Sequence, residues 1–195
     1  YSNAGDADIL IGKDAKVYAY NGGASKLNGV DVALADEEIN DYEKIDGVSI
    51  GGGSAPYNNG GSANITIEDG ATVVAGSIGG GKTYKPDEFK GGNTVIKYEP
   101  TTVNAQFFVP ENAENVEINV PDEVTFDGSP LNKINTDYIY IEPNGGAINL
   151  GAGTLALTNA TIRDYTVSGL GGGIYVKDGT AILPDIKLLN NKAGY

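Results

Sequence analysis

Apolar residues fall at alternate positions in short runs along this chain. Ala7-Asp8-Ile9-Leu10-Ile11 leads into Ala15-Lys16-Val17-Tyr18-Ala19, and Ala63-Asn64-Ile65-Thr66-Ile67 leads into Ala71-Thr72-Val73-Val74-Ala75. A period of two, with Ile and Val on one side, is the signature of a half-buried β-strand. The two stretches align without a gap, Ala7 falling on Ala63, at an offset of 56. The shared pattern is Ala-Asx-Ile-x-Ile-x-x-x-Ala-x-Val-x-Ala.

Two further repeats reinforce this one. Ser49-Ile50-Gly51-Gly52-Gly53 recurs as Ser77-Ile78-Gly79-Gly80-Gly81, at an offset of 28. The first unit therefore carries an extra stretch, 20–47, which the second lacks. That stretch is too long for an ordinary loop. Its Asp36–Tyr42 portion reads as a short helix capped by Asp36 or as a solvated excursion. Near the C-terminus, Gly153–Ile162 matches Gly179–Leu188 at an offset of 26, each copy preceded by a glycine-rich turn and a strand.

Residues 82–144 show no clear repeat. Their apolar runs are short and strand-like all the same: 94–98, 106–109, 116–120, 124–126 and 138–141, separated by turn residues. No stretch has the pattern of a long amphipathic helix.

A unit of about 26–28 residues with two or three short strands cannot bury its apolar face alone, so neighbours must stack. The spacing predicts an all-β fold, a right-handed parallel β-helix (a solenoid) with a long acidic loop insertion. Stacking puts Leu157 over Leu183 and Ile162 over Leu188 as inward ladders, and Asn159 over Asp185 at a turn. Coiled throughout, the chain makes about seven turns, roughly 35 Å tall at about 4.8 Å per turn. An antiparallel sandwich explains the short strands but not the in-register repeats. Residues 1–4 contain Ser2-Asn3-Ala4, which reads as the remnant of a cleaved expression tag. The rest, 5–195, reads as one β-helical piece of a larger protein, with 20–47 inserted, 82–144 irregular and 145–195 the clearest repeats.

Composition narrows the chemistry. Of 195 residues 29 are Gly and 8 Pro, below the proportion of disordered low-complexity chains, so the glycines read as punctuation in an ordered fold. There is no His and no Cys. That excludes a Ser-His-Asp triad, an imidazole base, thiolate zinc sites and disulfides. The net charge of −13 argues against nucleic acid and anionic membranes as partners. The charge is uneven: residues 145–195 sum to +1 and residues 1–144 to −14. No apolar run approaches the roughly 18 residues of a membrane span.

Residues 145–195 resemble the repeats of polymorphic outer membrane proteins and related β-helical autotransporters and adhesins. Gly145-Gly146-Ala147-Ile148 matches their GGA(I/L/V) motif. Leu188-Leu189-Asn190-Asn191 matches their FxxN motif loosely, with Leu for Phe. The resemblance is confined to this C-terminal part of the chain. It implies an extracellular, bacterial cell-surface location and an adhesive or passenger-domain role. The partners it implies are a host or environmental glycan or protein, or another copy through stacked ends.

Four sets of residues are candidates for chemistry. The acidic insertion offers Asp36, Glu37, Glu38 and Asp41 as oxygen ligands, with Ca²⁺ the fitting ion, although their spacing is not that of an EF-hand. The other reading is a solvated, solubilising loop, and no cofactor is expected. Tyr18 with Tyr20, and Tyr138 with Tyr140, share strand faces and suit stacking on sugars, if Val17 and Ala19 point inward. Ordinary β-propensity accounts for them too. Pectin-degrading enzymes also use a β-helix, and Asn135-Thr136-Asp137 spells a polygalacturonase triplet. The chain lacks that family's paired aspartates and histidine, and adjacent Asp122 and Glu123 point to opposite faces of a strand. Thr154 over Thr180 does not extend into the Thr-x-Thr array of an ice-binding ladder. The sequence thus predicts a non-catalytic surface or stalk segment, with a polysaccharide-active or glycan-binding β-helix as the other reading.

Overall fold

The structure, a computed structural model, describes residues 4–19, 24–27, 30–33, 48–134 and 141–194, with 24–27 and 30–33 described by backbone alone. The strands are β1 (Ala7–Ile11), β2 (Lys16–Ala19), β3 (Ala24–Leu27), β4 (Val30–Ala33), β5 (Ile50–Gly51) and β6 (Ala63–Ile67). Next come β7 (Thr72–Gly79), β8 (Thr94–Tyr98), β9 (Thr102–Val109), β10 (Val116–Asn119) and β11 (Thr125–Asp127). The last are β12 (Ile148–Leu150), β13 (Thr154–Ala156), β14 (Thr161–Arg163), β15 (Ile174–Val176), β16 (Thr180–Ile182) and β17 (Lys187–Leu189). The one helical element among the described residues is a 3-10 turn at Leu131–Lys133. Among them no helix is long and apolar enough to cross a membrane.

The fold is all-β, and apart from β3 and β4 the pairings are parallel. The chain visits three strand columns in turn. The first column runs β1-β6-β8-β10, with Ile9, Ile65, Ile96 and Ile118 in register. Beside β10 lies β13, which pairs with β16. The second column runs β2, β7, β9, β11, β14 and β17, with Val103, Phe126, Ile162 and Leu188 in register over its last four strands. The third uses β5, the far halves of β7 and β9, then β12 and β15, aligning Ile50, Ile78, Phe107, Ile148 and Ile174. The second column has six levels, not seven, and the first has four strands with the β13–β16 pair beside them.

The three columns meet on an aromatic cluster. Tyr98 from the first, Phe107 from the third and Phe126 from the second are all buried. Their ring centroids lie 5.7 Å apart for Tyr98 and Phe107 and 5.2 Å for Phe107 and Phe126, the latter edge-on. Edge-to-face contact is the favoured geometry for such pairs. The Tyr98 hydroxyl donates to the Thr102 carbonyl at 3.0 Å and the Tyr165 hydroxyl to the Ala105 carbonyl at 2.9 Å. Burial pushes both phenols above their ordinary range.

Corners between the first and second columns use the left-handed region. Asp14, Gly70, Glu123, Asn159 and Asp185 all have φ between 52° and 86° there. Short Asx side chains tolerate that conformation, which explains the turn expected at Asn159 and Asp185. The GGA-type turn has the same cause. Gly145 and Gly171, its counterpart in the next repeat, have φ of 65° and 62°. A Cβ on Gly145 would collide with the Ile148 carbonyl oxygen.

The registers expected from the repeats are all present: Ala7 pairs with Ala63, Ile50 with Ile78, Ile148 with Ile174 and Thr154 with Thr180. The insertion, expected as a loop, is strand where it is described, and its 36–42 portion lies outside the described residues. β3 pairs antiparallel with β2, and β4 with β3, so a hairpin covers the first edge of the second column. On the last level Leu188 is 58% exposed, whereas Ile162 beneath it is buried. An inward position stays exposed when no further level covers it.

Candidate functional site

Strand alternation decides what the third column shows to solvent. Phe107, Ile148 and Ile174 point inward, so their neighbours Phe108, Asn149 and Tyr175, which are also in register, point outward. These three rise through one side of a cleft of about 200 Å³, which Lys82, Glu111, Glu142 and Lys177 rim.

Gln106 sets the shape of the cleft. It lies on the outer side of β9 yet is fully buried, because residues 142–145 cross above it. Its Oε1 accepts from the Glu142 N–H at 3.0 Å. Its Nε2 faces the carbonyls of Glu142, Asn144 and Gly145 at 3.0, 2.9 and 2.8 Å. This latch fixes Glu142 and Asn144 at the rim, and the Asn144 Oδ1 in turn accepts from the Leu170 N–H at 2.7 Å.

Two ion pairs face the cleft. Lys82 Nζ lies 2.8 Å from Glu142 Oε1, both side chains under a fifth exposed. Lys177 Nζ lies 2.7 Å from Glu111 Oε2 in a more open position. The hydrogen bond from Lys177 to Glu111 holds the ammonium above its ordinary value. The four charges sum to zero. Asn149 is a polar residue on this wall, 8% exposed, and it lines the cleft.

The single arginine, Arg163, is committed elsewhere. Its Nη2 lies 2.7 Å from Asp127 Oδ2, one level below in register. Burial works against ionisation of Asp127, but the Ser129 N–H and hydroxyl and the Arg163 guanidinium outweigh it. The carboxyl is held below its ordinary value. This pair anchors the segment that continues to Leu131, itself buried, which covers β7.

The burial of Tyr18 corrects its reading. The ring was expected at an exposed position; it is half-buried and packed against the core. Its register partner Val74 is buried as well, because the outer side of β7 lies beneath the 3-10 turn. Tyr20, Tyr138 and Tyr140 lie outside the described residues, as do Asp36, Glu37, Glu38 and Asp41 and the triplet at 135–137. Among the described residues no three acidic groups gather to hold a metal. Asp122 and Glu123 are exposed at a corner, Glu123 in the left-handed region. Thr154 and Thr180 stack as expected and are exposed.

The rim residues span positions 82 to 177 in sequence. The C-terminal repeat already places Tyr175 over Asn149, since Ile148 falls on Ile174. Nothing in the sequence placed Lys82, Glu111 or Glu142 beside them. No protein-family model, curated protein or solved structure matches the chain.

Proposed function

We propose that the chain is a right-handed parallel β-helix serving as a non-catalytic stalk or ligand-binding segment of a bacterial cell-surface protein. The carrying observation is the return of the chain to three parallel columns, with equivalent residues in register level after level. Parallel crossovers are almost always right-handed, which supports the hand. Such a stack is held along its axis by the hydrogen bonds that tie each strand to the strands of the levels beside it. The GGA-type turns and the acidic first part of the chain fit an extracellular, adhesin-like role. Its partners are then a glycan or protein, or another copy through stacked ends.

The polysaccharide-active alternative draws on the two carboxylates of the cleft. Each, however, is engaged by a lysine ammonium. Glycoside hydrolysis needs one carboxyl free to give a proton and the other to attack or to activate water. Incubation with pectin, alginate and host-type glycans separates the readings. Retention of a glycan without shortened products is the expected result. Release of reducing ends or unsaturated products would overturn it.

A further inference from the structure

We propose that the cleft outside the third column binds one ring of a neutral sugar, a hexose or N-acetylhexosamine unit of a glycan. This rests on the binding role proposed above. Asn149 carries the argument. Its amide offers two N–H donors and one acceptor, the residue is 8% exposed, and it lines the cleft. Among the described residues the buried side-chain atom left without a partner is Ser77 Oγ, so the Asn149 amide is open to the cleft and can offer its donors and acceptor to a ligand there.

The charges around it choose the class of ligand. Lys82 and Lys177 are already neutralised by Glu142 and Glu111. A uronate, sialic acid or amino acid would have to break one of these pairs to gain its own. A hydroxyl need not, because it can accept from the ammonium and donate to the carboxylate of the same pair. Tyr175 adds a ring on which the apolar side of a sugar can rest. The volume, about 200 Å³, is below the roughly 300–1,000 Å³ of drug-sized sites, which fits one sugar ring with the rest of the chain outside.

The test is an NMR titration of the isotope-labelled chain with glucose, galactose, mannose and N-acetylglucosamine, and with galacturonate and glutamate as charged counterparts. At least one neutral sugar should give saturable shifts centred on the Asn149 side-chain amide and on Tyr175. Asn149→Ala should weaken that binding at least about tenfold, the loss expected for one or two hydrogen bonds. Tyr175→Ala should weaken it as well. Asn149 points outward, so circular dichroism should be unchanged in the first variant.

Three results would sink the proposal: no saturation with any neutral sugar, tighter binding of galacturonate or glutamate, or undiminished affinity in Asn149→Ala. If the chain still retains a polysaccharide equally well with Asn149→Ala, the cleft assignment fails while the non-catalytic binding reading stands. Shortened products from the unaltered chain would remove that underlying reading instead.

Discussion

Gln106→Leu tests the latch that builds the cleft. Leucine keeps nearly the volume of glutamine, so the loss reports hydrogen bonds and not a cavity. Gln106 has two N–H hydrogens for the three carbonyls within reach, so at most two of those bonds are fully made at once. With the bond accepted from Glu142, three bonds are lost. At about 1 kcal/mol net each, and a range of about 0.5–1.5, the cost is about 3 kcal/mol, between about 1.5 and 4.5. The assay is native-state hydrogen exchange with denaturant unfolding beside it. A loss of about 3 kcal/mol speeds exchange of the Glu142 N–H by about two decades, and residues 142–145 should loosen before the columns do. Glu142 and Asn144 lose their fixed positions, so sugar binding should fall with it. A cost below about 0.5 kcal/mol, less than a single net hydrogen bond contributes, would refute the latch. Unchanged exchange at Glu142 in a folded variant would do the same.

Phe107→Ala removes the centre of the aromatic cluster. A loss of about 3–5 kcal/mol is expected, lowering the thermal midpoint by roughly 6–20 °C for a chain of this size; calorimetry reads it. Gly145→Ala meets both a positive φ and the Ile148 carbonyl oxygen, so it should cost more than about 1 kcal/mol. Gly5→Ala, where a Cβ meets open space, should stay within about 0.5 kcal/mol in the same melts. Asp127 titrates below its ordinary value of 3.8 when folded, so its ionised form contributes stability that is present above that value and is lost as pH falls through the lower folded one. The stability gap between the unaltered chain and Asp127→Asn should therefore be flat above about pH 5 and close at lower pH, followed by urea unfolding. For the acidic insertion, the solvated reading predicts no heat on adding millimolar Ca²⁺ in a calorimeter; a saturable, stoichiometric signal would replace it with a metal site.

The fold was legible where a stretch of one level recurs without a gap in the next. The repeat offsets in the sequence are also the registers of the sheets, because a gapless repeat becomes stacking without slippage. Between them the levels differ in length. The steps from Ala63 to its partner Thr94, from Thr94 to Val116 and from Phe107 to Ile148 are all unequal. No fixed period exists there to be found, although short apolar runs still marked β8, β10 and the second half of β9. Tyr18 failed for a related reason. Alternation tells which side of a strand faces the core; it says nothing of a distant segment lying over the other side.

The excess length is not scattered. In the second and third levels β7 and β9 run directly from the second column into the third. In the first level residues 20–49 intervene between β2 and β5, in the fourth residues 128–147 between β11 and β12, and in the fifth residues 164–173 between β14 and β15. The two longest excursions, 20–49 and 128–147, thus leave from the same corner. The fourth-level excursion lays Leu131 over β7 and carries Glu142 and Asn144 across Gln106, burying outer sides that a bare stack would leave wet. Regular levels supply a rigid wall with Asn149 and Tyr175 on it, and the irregular connection supplies the rim. A ligand site needs both, since a wall without a rim is flat and a rim without a wall has nothing to hold it in place. Shortening residues 128–147 to the length of 164–173, which serves the next level, should therefore leave the parallel registers intact while removing the cleft. Circular dichroism and the sugar titration together would check this, and loss of the β-sheet signal would show that the excursion also holds the stack.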